Sequence, residues 1–463
     1  MTSSPTSRRR STGSPEVRHP QRSPVLCVDV GSTFTKAVLV DPADGAVLGA
    51  ASSPTTAATD VLDGLGEVRA RLAEAHGEPG DVLVCSSAGG GLRLAVVGYE
   101  REVTAEAGRR VALSAGGRVV HVACGPLDGA AVRELRAARS DIVLLVGGTD
   151  GGNADVLLAN ARRLAAARVP APVVVAGNAD AAAEVEALLR TAGRRVTVTG
   201  NVLPEIGVVA PDGARRAIRE AFLAHVIGGK GLSRGPAFAR LVTAPTPDAV
   251  LAGVERLAAV AGTDVLVVDV GGATTDVYSV LTPQGEDATL HRDVVATLWH
   301  ARTVEADLGM RWNAESVVEA AGREHLLLTD TTSRYAVRVA TDPGHLAGSA
   351  GEWACERELA AAAAVVAVRR HGRPAAPSER PRPLAEVGLV LGSGGVLRHA
   401  PAEVGAEVLR AVVGDHGGGW RVPRSPRTGV DTAYLLFAVG LLADRHPDAA
   451  DALATRLDRS VGR

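Results

Sequence analysis

The sequence predicts an α/β protein built as two similar lobes. Short, almost wholly apolar runs of strand length alternate with helix-period stretches through most of the chain, the pattern of a largely parallel sheet with helices on both faces. A glycine-turned hairpin pattern occurs twice, as VLCVDVGSTFTKAVLVDP from residue 25 and as TDVLVVDVGGATTDVYSVLTP from residue 263, so the two halves open alike. At 463 residues the chain also exceeds one ordinary core. Its 46% hydrophobic content includes only 3% aromatic residues, which favours Ala, Val and Leu packed between helices and buried strands.

Order is expected from Pro24. VLCVDV, TFTKAVLVD and GAVLGAA read as a meander with turns at Gly31 to Thr33 and at Asp44-Gly45. A helix over Val61 to Ala75 leads to the strand DVLVCSS and the glycines 89 to 91. Strands RVVHVACG, DIVLLVGG, APVVVAGN and RVTVTGN then alternate with helices near 130–139, 154–167 and 179–192. A long helix over about 213–226 closes this half. After the second hairpin, residues 291–371 read as mostly helical, 372–383 as a Pro/Arg-rich loop, and EVGLVLGSGGVL as a buried strand, with an apolar helix over 431–443. The expected division is a disordered tail over 1–23, a first lobe over 24–228, a second over 229–445 and a C-terminal tail over 446–463.

The chemistry concentrates at three glycine-bearing loops. In the first, Asp29 ends a buried strand, where a carboxylate requires a cation or a polar partner, and magnesium is the expected one. Gly31 allows close backbone approach; Ser32, Thr33 and Thr35 offer hydroxyl and amide donors suited to phosphate oxygens, and Lys36 a point charge. The second loop repeats the device with Asp269, Gly271, Gly272, Ala273, Thr274, Thr275 and Asp276. Either loop alone reads equally as a polar hairpin turn. Two of them at the heads of similar halves can grip one polyphosphate from both sides. In the third loop, Gly392, Ser393, Gly394 and Gly395 follow a buried strand and precede a helix, leaving room for a flat adenosine or simply making a tight turn.

These three loops, in this order, resemble the phosphate-1, phosphate-2 and adenosine motifs of the actin, hexokinase and heat-shock ATPase superfamily: DVGSTFTK, DVGGATTD and LGSGG. The resemblance implies an α/β, two-lobed, actin-like (ribonuclease H-like) ATPase fold with an ATP cleft between duplicated lobes. Within that superfamily the chain resembles the glutamate mutase accessory proteins, the mutase L family, over roughly residues 24–445, including VGGTDGG at 146–152, GNVLPEIG at 200–207 and TVEADLGMRW at 303–312. That family accompanies adenosylcobalamin-dependent mutases. The implied function is an ATP-binding, ATP-hydrolysing chaperone-like factor that reactivates such a mutase, with ATP and magnesium as cofactors, mutase subunits as partners and a slow magnesium-dependent ATPase as its activity. A homo-oligomer is compatible with it.

Further carboxylates join the candidates. Asp150, flanked by glycines after a strand, is a magnesium ligand or a turn aspartate capping the helix from Ala154. Glu205 either orients a water toward the terminal phosphate, as an acidic residue of the comparable connecting segment does in relatives, or is a plain surface glutamate. Asp269, Glu205 and Asp150 are thus the catalytic candidates, and Asp29, Asp150 and Asp269 the metal candidates. His300, Glu305, Asp307 and Arg311 suggest a partner surface or local ion pairs.

Composition narrows the rest. Lys plus Arg (50) balance Asp plus Glu (52), which favours neither nucleic acid nor acidic lipid. The longest apolar stretch, near Tyr434 to Ala443, is half the roughly 18 to 20 residues a membrane span needs. Arg8, Arg9 and Arg10 precede no apolar segment, so no signal peptide is expected. Cys27, Cys85, Cys124 and Cys355 lack CxxC spacing and read as reduced thiols in cytoplasm. A small-molecule kinase of the same fold, acting on a sugar or carboxylate hydroxyl, is the alternative function, and an actin-like scaffold a further one.

Overall fold

The computed structural model describes residues 23–282, 299–374, 381–416 and 422–461. The tail expected over 1–23 lies outside them except for its last residue, as does 375–380 of the Pro/Arg-rich loop.

Fifteen strands build three five-stranded sheets among the described residues. The first contains β1 (Val25–Val30), β2 (Phe34–Val40), β3 (Val47–Pro54), β4 (Asp81–Ser86) and, after a long insertion, β10 (Val242–Pro245). The insertion carries β5 (Leu92–Gly98), β6 (Gly117–Cys124), β7 (Ile142–Leu145), β8 (Val173–Val175) and β9 (Val196–Val198). The last sheet contains β11 (Val265–Val270), β12 (Thr275–Val280), β13 (His300–Glu305), β14 (Leu389–Ser393) and β15 (Arg427–Val430).

The first and last sheets have the same plan. Their orders, β3-β2-β1-β4-β10 and β13-β12-β11-β14-β15, each place an antiparallel meander beside two parallel strands. The duplication read from the two hairpin patterns is therefore real in topology, and the expected two-lobed actin-like α/β fold is present. β1 is buried at every position, as a central strand covered on both faces must be. The insertion forms an all-parallel sheet in the order β6-β5-β7-β8-β9 and shares a core with the first sheet, in which Leu26, Val28, Leu94, Val96, Ile142 and Phe222 meet.

Three boundaries differ from the sequence expectation. The first sheet gains its fifth strand only at Val242–Pro245, so the first lobe runs past residue 228. The span 291–371 holds the strand His300–Glu305 as well as helices, because β12 offers it an antiparallel edge. The segment 446–463 carries the helix Pro447–Ser460, whose Ala450, Leu453, Ala454 and Leu457 are buried.

That last helix joins the helices Thr246–Ala261 and Leu436–Leu442 in a layer between the outer sheets, packing on Cys27 and Val38 of one and Val267 and Leu391 of the other. Thr246–Ala261 follows β10 directly and carries the chain from the first lobe to the second. It crosses Leu436–Leu442 at two glycines: a Cβ on Gly253 would lie 2.0 Å from the Leu436 carbonyl oxygen, and one on Gly440 1.8 Å from that of Ala249. Backbone meets backbone there, and no side chain fits between.

Candidate functional site

The two hairpins superpose in detail as well as in plan. Asp29 pairs with Lys36 and Val30 with Thr35 in the first; Asp269 pairs with Asp276 and Val270 with Thr275 in the second. Gly31 donates its amide to Phe34 O at 3.1 Å, and Gly271 to Thr274 O at 2.9 Å. A Cβ on either glycine would sit 2.8 Å from that same carbonyl oxygen, so each turn closes only around glycine. Ser32, Thr33, Gly272 and Ala273 are exposed at the tips. Among the described residues, the amides of these four donate to nothing. Thr35 and Thr275 point the other way: they are buried, with Thr35 sharing a hydrogen bond with Thr55 and Thr275 donating to Leu308 O.

Asp29 finds polar partners rather than solitude. It is buried, and its Oδ1 accepts from Thr246 Oγ1 at 2.6 Å and from the Cys85 thiol at 3.6 Å, while Oδ2 accepts from the Tyr434 hydroxyl at 3.0 Å. Burial and the charges of Asp29 and Asp269 push the Tyr434 phenol far above its ordinary value, so it stays a donor. Tyr434 itself is held at φ 55°, a left-handed conformation unusual for an aromatic residue. Lys36 Nζ lies 4.0 Å from the centre of its ring and the Arg398 guanidinium 4.7 Å.

Asp269 is the complement of Asp29. It is half-buried, and among the described residues no donor reaches its carboxylate. Its pKa is pushed up to about 6, chiefly by desolvation and next by Asp276 and Asp29, against the pull of Lys36 and Arg398. Tyr434, from the second half of the chain, touches both Asp29 and Lys36 of the first hairpin, which brings the two halves together beside it. Ser393 is the strand neighbour of Asp269, and a Cβ on Gly394 would strike Val270 O at 2.1 Å, which seats the third loop against the second.

The 303–312 signature proves to be a brace. Met310 N donates to Gly271 O, Arg311 N and Trp312 N to Gly272 O, and Asn313 Nδ2 to Ala273 O. Arg311 is anchored behind the loop by the buried Glu356 at 2.8 Å, which also accepts from Tyr335 at 2.6 Å. Glu305 and Asp307 share Arg370 in ion pairs, and His300 Nδ1 meets Glu255 in a hydrogen bond, so these side chains serve local contacts.

The other two catalytic candidates belong to the insertion between β4 and β10. Asp150 follows β7 in the inserted sheet, where its Oδ1 accepts from Ala179 N and Asn201 Nδ2, both at 2.9 Å. It ties three strand ends together; the helix Asp155–Ala167 has no side-chain cap. Glu205 is exposed in a turn bridged to Val208 after β9. The segment that connects the lobes is β10 with Thr246–Ala261, and its two acidic residues are paired, Asp248 with Arg219 at 2.6 Å and Glu255 with Arg215 at 2.9 Å. Thr246, Tyr434 and Arg398 were missed: nothing in TAPT or DTAYLLF marks a partner for an aspartate some 200 to 400 positions away. The chemistry-bearing set brought together is Asp29, Lys36, Asp269, Asp276, Ser393, Arg398 and Tyr434.

Comparison with known proteins gives a family model, described as MutL protein, matching residues 25–457. The chain is 35% identical over 451 residues to Protein MutL of Clostridium tetanomorphum, covering 92% of this chain and 97% of that one. Among solved structures, an acetone carboxylase in its nucleotide-free form matches with TM-score 0.38 and 15% identity over 91% of this chain and 70% of that one. The activator of 2-hydroxyisocaproyl-CoA dehydratase from Clostridium difficile, with bound ADPNP, gives 0.31 and 10% over 95% and 98%. A ROK hexokinase from Thermus thermophilus gives 0.28 and 14% over 94% and 99%.

Proposed function

This chain belongs to the MutL protein family, the glutamate mutase accessory family, and on that premise we propose that it binds ATP with magnesium in the inter-lobe cleft and uses the nucleotide state to reactivate an adenosylcobalamin-dependent mutase. The observation that carries the nucleotide part is the pairing of the two hairpin tips, each offering two unbonded amides, around the donor-free carboxylate of Asp269.

The residues suit the group. Amides at turn tips are matched to phosphate oxygens, and a half-buried carboxylate without a donor is matched to a hydrated magnesium ion. Ser32, Thr33, Gly272 and Ala273 would hold phosphates, Lys36 would balance their charge, and Asp269 would hold magnesium through its water. Magnesium would neutralise charge on the phosphates and lower the pKa of bound water. Asp29, with its oxygens engaged by Thr246 and Tyr434, positions the first hairpin rather than binding metal. Of the third loop's glycines, Gly392 and Gly394 pack against Leu397 and Val270, and Gly395, with nothing within 4 Å of an added Cβ, would border the adenosine. Asp150 and Glu205 have no part in this reading. Work on the partner requires two lobe angles of different affinity for it, one favoured by ATP and one by ADP. The crossing of Gly253 and Gly440 is where such an angle would change.

The test is calorimetric titration of the chain with ATP and magnesium, followed by recovery assays on a purified, inactivated mutase with ATP and fresh cofactor. Nucleotide binding without recovery of any adenosylcobalamin mutase would sink the accessory role. Transfer of phosphate to a sugar or carboxylate would replace it with the kinase reading.

A further inference from the structure

Beside the cleft, a cavity of about 310 Å³ is lined by Lys36, Arg71, Arg398 and Tyr434, with Ser52 and alanines between them. We propose that it is a phosphate-binding site sharing Lys36 with the first hairpin. The argument begins with charge. Three cationic side chains converge on a pocket whose lining contains no acidic residue. Arg71 has a counter-ion outside the lining, Glu67 at 2.5 Å, and donates to Ser52 O at 3.2 Å. Lys36 and Arg398 make no hydrogen bond to a carboxylate among the described residues; Arg398 Nε reaches only Thr432 O, at 3.3 Å. They rest instead on the Tyr434 ring, and act on Asp269 only at longer range.

Such an arrangement gathers two like charges around one aromatic ring, a costly state that a dianion relieves. A phosphate suits it better than a flat apolar ligand, because the walls between the cations are the short side chains of Ala37, Val38, Ala50, Ala51, Ala433 and Ser52, while guanidinium forks match phosphate oxygens. The same chemistry has two sources: the terminal phosphate of a nucleotide in the cleft, or free orthophosphate leaving it. Only this question of source rests on the nucleotide reading.

Full-length protein is titrated with inorganic phosphate, with magnesium ADP and with a non-hydrolysed magnesium ATP analogue, as wild type, as Arg71→Glu and as Arg398→Gln. Melting curves check that each variant folds. The expected result is a loss of about tenfold or more in affinity, the size of a lost charge-assisted bond, for orthophosphate if the pocket takes free phosphate, or for the ATP analogue if it takes the terminal phosphate. ADP affinity should stay within about twofold in Arg71→Glu, whose side chain lies outside the hairpins. Wild type that binds orthophosphate but no nucleotide, with binding lost in Arg71→Glu, would overturn the nucleotide reading and leave the pocket standing. Folded variants indistinguishable from wild type toward all three ligands, or a wild type with neither phosphate binding nor preference for the ATP analogue, overturn the pocket.

Discussion

The Tyr434 hydroxyl, delivered by the second lobe, donates a 3.0 Å hydrogen bond to the buried Asp29 of the first. It is a bond between lobes whose acceptor is a buried carboxyl group, the class in which a missing donor is costly. Tyr434→Phe keeps the ring beneath Lys36 and Arg398 and removes only this bond. Stability in denaturant titration should fall by about 1 to 3 kcal/mol. An unchanged midpoint would mean that water replaces the hydroxyl and that Asp29 does not tie the lobes together.

The raised pKa of Asp269 couples cation binding to protons. Its folded value is about 6 against an ordinary 3.8, so its own contribution to stability is fully present below 3.8 and lost as pH rises through 6. Magnesium requires the ionised carboxylate, which gives the opposite trend for ligand affinity. Between pH 8 and 7 the association constant for magnesium nucleotide should be flat from this group; below 6 it should fall and level off at a total loss of no more than about tenfold, the loss expected for the neutral Asp269→Asn. Titrations in buffers of different ionisation enthalpy would detect proton release at pH 5.5, and Asp269→Asn should abolish it.

The helix crossing tolerates no side chain. Gly253→Ala forces a methyl against Leu436 O, 2.0 Å from the ideal Cβ position, and separating the helices should cost about 1 to 3 kcal/mol. Gly66→Ala is the control: it is exposed in the helix Val61–His76 with nothing within 4 Å of its added Cβ, and should stabilise by about 0.5 to 1 kcal/mol. Equal melting temperatures for the two variants would refute the close crossing.

Gly272 separates space from strain. Its added Cβ meets only the Arg311 side chain, at 3.6 and 3.8 Å, so the turn can accept a larger residue. Gly272→Val should fold with a melting temperature near wild type yet lose nucleotide binding, because the branched chain covers the unbonded amides of Gly272 and Ala273. Retained affinity in that variant would make the tip a structural turn only.

The legible part of the sequence was the part with local grammar. Strand, glycine turn and strand are contiguous in both hairpins, so Asp29, Gly31, Asp269 and Gly271 declared themselves, and their repetition gave the duplicated lobes. What lay hidden was long-range: Thr246 and Tyr434 reach Asp29 only because two helices cross at glycines. Asp150 was ambiguous because a glycine-flanked carboxylate after a strand has the same local pattern whether it meets a metal or, as its Oδ1 does, the amide of Ala179. The 303–312 signature read only as a partner surface or local ion pairs because its loop-bracing bonds run to main-chain atoms of 271–273, which composition does not encode.

Asp269→Asn tests catalysis most directly. Asparagine keeps the shape of the side chain and removes its charge, and no donor among the described residues is orphaned by the change, since none reaches the carboxylate. The fold should therefore be untouched, and removal of a half-buried charge beside Asp276 should leave stability at neutral pH unchanged or slightly raised. The loop amides remain, so nucleotide affinity should hold within about tenfold, whereas turnover should drop on the order of a hundredfold or more, the usual size of a lost electrostatic or acid-base contribution. Nucleotide titration and phosphate release on the same preparation separate the outcomes. Loss of binding together with turnover would make Asp269 a magnesium anchor alone. Unaltered turnover would move the chemistry away from the second hairpin, with Glu205, an exposed turn residue, and Asp150, bonded to Ala179 and Asn201, the next to substitute. A wild type that releases no phosphate even with its mutase present would leave a nucleotide sensor, with Asp269 setting its magnesium dependence.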